Sequence, residues 1–204
     1  MIRNIVFDIG NVLVDFCWRD HIRGMGYEGE TAERIGNAMM QSPVWNEVDR
    51  GVWTNEELLA GFIANDPEIE EQIRRVFSDL STLVRERSGS LSWIRSLKAE
   101  GYGVYYLSNF SDRVKREAAG QLSFLEEMDG GIMSFAVRII KPDPGIYQEL
   151  FDRYGILAEE SVFLDDSPAN VETARKLHMR GILVESQEQA KKELEQLLRR
   201  EAGR

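Results

Sequence analysis

The chain has 204 residues, which is enough for one well-buried core and a modest inserted segment. Its 25 Lys and Arg against 35 Asp and Glu give a formal net charge of −10, which repels polyanions and argues against a nucleic acid partner. Cys17 is the only cysteine and no segment is apolar enough to span a bilayer, so we expect a cytoplasmic protein without a membrane partner.

Four short apolar runs rich in β-branched or aromatic residues predict buried strands. They are residues 5–7, 104–107, 162–164 and 182–184. Apolar residues at three- and four-residue spacing predict helices near residues 91–100, 112–119, 145–154, 169–177 and 188–200. The alternation of strands with helices predicts an α/β fold with a parallel sheet.

The stretch from Trp18 to Arg87 has a different pattern, because helical periodicity appears at 31–40, 55–64 and 69–77 without a convincing strand. This segment therefore predicts a helical insert directly after the first strand. Ligands of open α/β sheets bind beyond the carboxyl ends of strands, so the insert is expected to cover the site.

Polar residues follow the predicted strands at the points where parallel strands end together. They are Asp8, Ser108, Asn109, Asp165 and Asp166, with Lys141 in the connection between the second and third strands. Taken singly, each is more typical of a turn, a cap or a charged surface. Taken together, three converging carboxylates repel one another unless a cation lies among them, and oxygen ligands suit Mg²⁺.

The remaining polar groups fit a phosphate site, because Ser108 can donate a hydrogen bond and Lys141 supplies positive charge. A carboxylate that attacks a phosphate dianion meets a repulsion of about 4 kcal/mol per charge pair at about 4 Å and an effective dielectric near 20. Mg²⁺ and Lys141 would offset that repulsion, and nucleophilic carboxylates are known to form aspartyl-phosphates.

Four segments in a fixed order resemble the motifs of the haloacid dehalogenase (HAD) superfamily. They are FDIGNVL (7–13), LSN (107–109), KPDP (141–144) with Ile146 and Tyr147, and FLDDS (163–167). The resemblance implies a Rossmann-like core with a doubly wound parallel sheet, residues 1–15 and 90–204. It also implies a small all-helical cap domain inserted after the first strand, residues 16–89.

The resemblance further implies a Mg²⁺-dependent phosphatase that acts on a small phosphorylated metabolite, as a monomer or homodimer. Asp8 is the expected nucleophile and metal ligand, and the Gly10 carbonyl and Asp166 are the further Mg²⁺ contacts. Asp165 and Asn170 would support the metal site, although either carboxylate of the tandem pair could face the ion. The phosphate binders and substrate contacts implied in the core are Ser108, Lys141 and Asn109.

Gly10 departs from the phosphatase pattern, because phosphatases of this superfamily usually carry a general acid and base there, an aspartate two residues after the nucleophile. The Asp-x-Gly-Asn-Val form resembles a bacterial branch related to glucose-1-phosphatase, whose anomeric leaving group needs less proton donation. Unless Asp15 or an ordered water replaces the missing base, we expect slow hydrolysis of the aspartyl-phosphate and a burst with p-nitrophenyl phosphate.

Two alternative functions are compatible with these residues. A 2-haloacid dehalogenase uses the same aspartate without a metal and tolerates Gly10, although the tandem Asp165 and Asp166 then lack a role. A non-catalytic member would bind a phosphometabolite or a protein.

Substrate specificity is expected to lie in the cap, where Trp45 and Arg50 are the candidate substrate contacts. Trp18, Asp49 and Trp53 are further candidates to face the substrate, although tryptophans at helical spacing are usually core residues.

Overall fold

The structure, a computed structural model, describes residues 1–202. A five-stranded parallel sheet forms its centre. The strands are β1 (Asn4–Phe7), β4 (Gly103–Ser108), β5 (Gly130–Met133), β6 (Ser161–Asp165) and β7 (Arg180–Leu183). Their order is β5-β4-β1-β6-β7, so the chain builds outward from β1 on one side and then on the other. This arrangement confirms the doubly wound α/β fold and places a topological switch point at the carboxyl end of β1.

Helices cover both faces of this sheet. Those of the core are α6 (Ser90–Ala99), α7 (Asp112–Glu117), α8 (Ser134–Val137), α9 (Pro144–Tyr154), α10 (Pro168–Lys176) and α11 (Gln187–Ala202). Side chains of β1 alternate between the two faces. Phe7 packs against Trp93 of α6, with ring centroids 4.8 Å apart, whereas Val6 belongs to the opposite apolar cluster with Ile146 of α9.

The sequence does not predict the strand β5, because Gly-Gly-Ile-Met lacks an apolar run of recognisable length. Gly131 is nevertheless required there. A Cβ at this position would lie 2.2 Å from the carbonyl oxygen of Tyr106 on the neighbouring strand. The close approach of the two backbones thus explains a glycine in a position where β propensity alone disfavours it.

The structure also differs from expectation in a short antiparallel ribbon at the base of the insert. Its two strands are β2 (Val14–Phe16) and β3 (Val84–Glu86), and the second lies in a stretch expected to hold no strand. The three-residue strands carry charged side chains and show no apolar run. Arg87 follows the ribbon and binds Asp15, with Nε 2.6 Å from Oδ1.

Five helices lie between the two ribbon strands and form the helical cap (residues 18–77). They are α1 (Trp18–Gly24), α2 (Gly29–Ala38), α3 (Trp45–Arg50), α4 (Asn55–Asn65) and α5 (Glu70–Phe77). Their shared interior contains the fully buried Ile22, Ile35, Phe62 and Ile73. A capping box starts α4, since the Thr54 hydroxyl accepts from Glu57 N and the Glu57 carboxylate accepts from Thr54 N.

Short 3₁₀ turns at Pro67–Ile69, Ala119–Gln121, Ser123–Glu127 and Ala158–Glu160 join several of these elements. Within residues 1–202, none of the helices has both the length and the apolar character that crossing a bilayer requires.

Candidate active site

Asp8 follows β1 at the carboxyl edge of the sheet, where its N–H donates to the Leu164 carbonyl. Three donors reach its Oδ1: the Ile9 N–H at 2.7 Å, the Ser108 hydroxyl at 2.6 Å and the Lys141 ammonium at 2.9 Å. Burial raises the pKa of Asp8 to about 7, and the positive charge of Lys141 opposes that rise. The carboxylate is therefore held in one orientation.

Lys141 is buried and bridges two carboxylates. Its Nζ lies 2.6 Å from Asp165 Oδ2 and 2.8 Å from the Leu107 carbonyl oxygen, besides its contact with Asp8. Burial alone would lower the pKa of Lys141, but the two carboxylates raise it above its ordinary value, so the ammonium stays charged. The Asn109 amide fixes the Lys141 backbone by donating to its carbonyl and accepting from its N–H.

Asp165 and Asp166 occupy different environments although they are adjacent. Asp165 is fully buried, and its carboxylate accepts hydrogen bonds from Lys141, Asn170 and the Ser167 N–H. Asp166 is half-buried, and its Oδ2 accepts from the exposed Asn11 amide at 2.9 Å. Burial raises the pKa of Asp166, and the hydrogen bond from Asn11 partly counters that effect.

One carboxylate oxygen each from Asp8, Asp165 and Asp166 lie within 4.8 Å of one another. Such a group of oxygen donors fits a hard divalent cation such as Mg²⁺. Asp166 and Gly10 line the cavity above Asp8, whereas the Asp165 oxygens are already engaged by hydrogen-bond donors. These residues could hold a metal, and Asp166 is the more accessible member of the tandem pair.

A cavity of about 180 Å³ lies between the core and the cap. Its walls include Asp8, Gly10, Asn11, Asn109, Phe110, Ser111, Val114 and Asp166 from the core, Phe16 and Val84 from the ribbon, and Trp45 and Asp49 from the cap. Ser108 and Lys141 lie behind Asp8 and contact its carboxylate instead of forming the wall. The cavity is small, so it limits the size of the ligand that can reach Asp8.

Of the candidate substrate contacts in the cap, some line the cavity and others lie away from it. Trp45 lines the cavity and packs against Phe16 and Phe62. Arg50 does not line it, because its guanidinium turns to Glu47, with Nε 3.3 Å from the carboxylate. Trp18 packs on Gly36 in the cap interior, where an added Cβ would lie 2.3 Å from the ring.

Asp49 lines the cavity on the cap side, beside Trp45. Burial raises the pKa of this half-buried carboxyl to about 7, the charge of Asp8 adds to the rise, and Lys141 opposes it. Within residues 1–202 the Asp49 carboxylate has no hydrogen-bond or ion-pair partner.

Gly10 also lines the cavity, and a Cβ built there would meet no atom within 4 Å. Asp15 cannot act as the base that Gly10 lacks. It lies outside the cavity, where its carboxylate pairs with Arg87 at 2.6 Å and Arg85 at 3.7 Å.

A model of the haloacid dehalogenase-like hydrolase family matches residues 2–178. The chain therefore belongs to the haloacid dehalogenase-like hydrolase family. Several curated proteins and solved structures are also similar to this chain.

Bifunctional epoxide hydrolase 2 of Mus musculus is 33% identical over 138 residues, or 66% of this chain and 25% of that protein. The chain thus spans about a quarter of that relative's length. The sesquiterpene phosphatase astK of Aspergillus oryzae is 23% identical over 184 residues, 87% of each protein. A 2-haloacid dehalogenase from Burkholderia cepacia also matches.

A solved HAD family enzyme from Bacteroides thetaiotaomicron, in complex with magnesium and inorganic phosphate, shares the fold. Its TM-score is 0.69 at 21% identity, over 90% of this chain and 94% of that chain.

Proposed function

We propose that this protein is a magnesium-dependent phosphatase that hydrolyses a small phosphorylated metabolite, a sugar phosphate, through an aspartyl-phosphate on Asp8. The observation that carries the proposal is the buried contact of Asp8 with Ser108 and Lys141 beside a small cavity. The name of the Aspergillus oryzae relative, a sesquiterpene phosphatase, agrees with this reaction type.

In the first step a carboxylate oxygen of Asp8 attacks phosphorus and the bond from phosphorus to the leaving oxygen breaks. Lys141 offsets the repulsion between Asp8 and the anionic phosphate, which is about 4 kcal/mol per charge pair at a separation of about 4 Å and a dielectric near 20. Ser108 and the Ile9 N–H hold the attacking carboxylate in place. In the second step water attacks phosphorus, and Asp8 is released together with inorganic phosphate.

Asp8, Asp166 and the Gly10 carbonyl are the groups we assign to the metal. When bound, Mg²⁺ supplies positive charge at the phosphoryl oxygens in both steps. We assign Asp165 to the support of Lys141, because hydrogen bonds from Lys141, Asn170 and the Ser167 N–H already occupy its carboxylate.

The size and lining of the cavity support a compact polar substrate. Trp45 offers an aromatic wall, while Asn109 offers a polar group to hydroxyls. Sugars combine an apolar ring face with hydroxyls at the edge, so this mixture suits a sugar phosphate.

The dehalogenase alternative explains the site less completely. Halide displacement by Asp8 needs neither a metal nor a proton donor, so the accessible carboxylate of Asp166 would then have no chemical role. A non-catalytic binding protein would not need Asp8 to be buried against Ser108 and Lys141.

One assay separates the three candidates. The phosphatase hydrolyses p-nitrophenyl phosphate, loses the activity in EDTA and regains it with Mg²⁺. Halide release from 2-chloroacids that persists in EDTA identifies a dehalogenase, and the absence of both reactions identifies a binding protein. A panel of sugar phosphates and nucleotides then tests the substrate class.

A further inference from the structure

The proposed reaction needs a group that moves protons, and the core does not supply one at Gly10. Both steps benefit from such a group, first as an acid that protonates the leaving oxygen and then as a base that deprotonates water. Asp15 lies outside the cavity in ion pairs with Arg85 and Arg87. The Asp165 carboxylate is occupied by its hydrogen bonds, including the one from Lys141. The cap is the remaining side of the cavity.

We propose that Asp49 is the general acid and base of this enzyme and that α3 of the cap supplies it in place of the side chain that Gly10 lacks. The proposal rests on the phosphatase function proposed above. Asp49 shares one cavity with Asp8 and with the open space beside Gly10. Burial raises the pKa of Asp49, so its carboxyl can hold the proton that the leaving oxygen needs.

Hydrogen bonds join the backbone of Asp49 to the core. Its carbonyl accepts a hydrogen bond of 2.5 Å from the Ser134 hydroxyl, which in turn accepts from the Phe110 N–H at 2.9 Å. Gly51 ends α3 in the left-handed region at φ 68°, and a Cβ there would lie 2.9 Å from Phe135 Cβ. Close packing of α3 on α8 therefore anchors Asp49.

The proton balance closes over the two steps. The protonated Asp49 gives its proton to the leaving oxygen as the bond from that oxygen to phosphorus breaks and the bond to Asp8 forms. The Asp49 carboxylate then takes a proton from water as the water oxygen attacks phosphorus and the bond to Asp8 breaks. Asp49 is protonated again when the alcohol and phosphate have left.

This assignment changes the kinetic behaviour expected from Gly10 alone. With Asp49 as base, the wild-type enzyme hydrolyses its aspartyl-phosphate without accumulating it. The burst with p-nitrophenyl phosphate should appear instead in Asp49→Asn, because a phenolate leaves unaided while hydrolysis of the intermediate still needs the base.

The test compares Asp49→Asn with Glu47→Gln, a carboxylate-to-amide control on the same helix that does not line the cavity. Asp49→Asn should lower kcat for an alkyl phosphate by about 10²–10⁴-fold and give a burst of about one enzyme equivalent with p-nitrophenyl phosphate. Glu47→Gln should behave as wild type. Circular dichroism checks that both variants are folded.

A double variant makes the test independent of any structural effect of Asp49→Asn. Gly10→Asp restores a carboxylate from the core side, where the space is open, so Gly10→Asp with Asp49→Asn should recover much of the lost turnover and abolish the burst.

Asp49→Asn that raises only KM, or lowers kcat equally for phenyl and alkyl phosphates without a burst, would overturn the assignment and make Asp49 a substrate contact. If the wild type shows no Mg²⁺-dependent hydrolysis at all, the phosphatase function itself fails.

Discussion

On the core side of the cavity, Lys141 contacts Asp8 at 2.9 Å and Asp165 at 2.6 Å, and all three residues are buried. On the cap side, Asp49 sits on a helix of six residues, and its carboxylate has no partner within residues 1–202. The charged groups of the core thus form ion pairs with one another, whereas the Asp49 carboxyl of the cap is free to contact a ligand. We infer that the core fixes the nucleophile and the cap supplies groups that meet the substrate and its protons.

The largest effect should come from Asp8→Asn, since an amide is neither a competent nucleophile nor an anionic metal ligand. We expect less than about one tenth of wild-type phosphatase activity in a folded protein, in line with loss of the covalent step. Asp112→Asn, an exposed carboxylate on α7, is the control that should keep full activity. Substantial turnover by Asp8→Asn would remove Asp8 from the role of nucleophile.

The second effect concerns stability. It compares a buried ion pair with a partly exposed one that has the same distance between nitrogen and oxygen. Lys141 and Lys98 each lie 2.6 Å from an aspartate, Asp165 and Asp129 respectively, but the second pair is about one-third exposed. Lys141→Met leaves buried carboxylates unpaired and should cost about 3–5 kcal/mol of unfolding free energy.

Lys98→Met is the matched control and should cost about 0–1 kcal/mol, as exposed pairs do. Urea unfolding measures both values. Equal losses in the two variants would contradict the view that the core charges stabilise one another by being buried together.

The third comparison separates the tandem aspartates. Asp166→Ala should raise the Mg²⁺ concentration for half-maximal activity by about 10-fold or more with a small change in stability, because it removes an accessible ligand. Asp165→Ala should mainly lower the unfolding free energy, because it leaves Lys141 with one carboxylate fewer. Magnesium titrations together with urea unfolding distinguish the two. The reverse pattern would make Asp165 the ligand.

The smallest effect is expected in the cap. Arg50→Ala should change kcat/KM by less than about twofold, because Arg50 pairs with Glu47 outside the cavity and exposed pairs contribute little. Trp45→Phe keeps an aromatic ring but presents a smaller apolar surface to the cavity, so it should raise KM severalfold. Steady-state kinetics on the best substrate of the panel measures both, and a strong loss in Arg50→Ala alone would show that substrate displaces Glu47.

The sequence predicts the core far better than the cap for a physical reason. Asp8, Ser108 and Asp166 follow apolar strands, and parallel strands bring their ends together whatever the details of packing. The strand Gly130–Met133 escapes prediction because a backbone contact, and not an apolar run, determines its glycine.

No such rule predicts which side chains of the helical cap face the cavity. Asp49 and Arg50 are neighbours on one short helix, and only the tertiary placement of α3 on Ser134 determines which of them reaches the cavity. The sequence names both as candidates to face the substrate, whereas the structure brings the Asp49 carboxyl to the wall and leaves the Arg50 guanidinium with Glu47.

Trapping the intermediate shows whether Asp8 carries a phosphoryl group during turnover. Asp49→Asn, in which the intermediate should accumulate, is mixed with Mg²⁺ and p-nitrophenyl phosphate, quenched in acid and digested for mass spectrometry. We expect a phosphorylated peptide that contains Asp8 and loses its phosphoryl group on treatment with hydroxylamine. Continued turnover without any phosphorylation of Asp8, in this variant and in the wild type, would contradict this expectation.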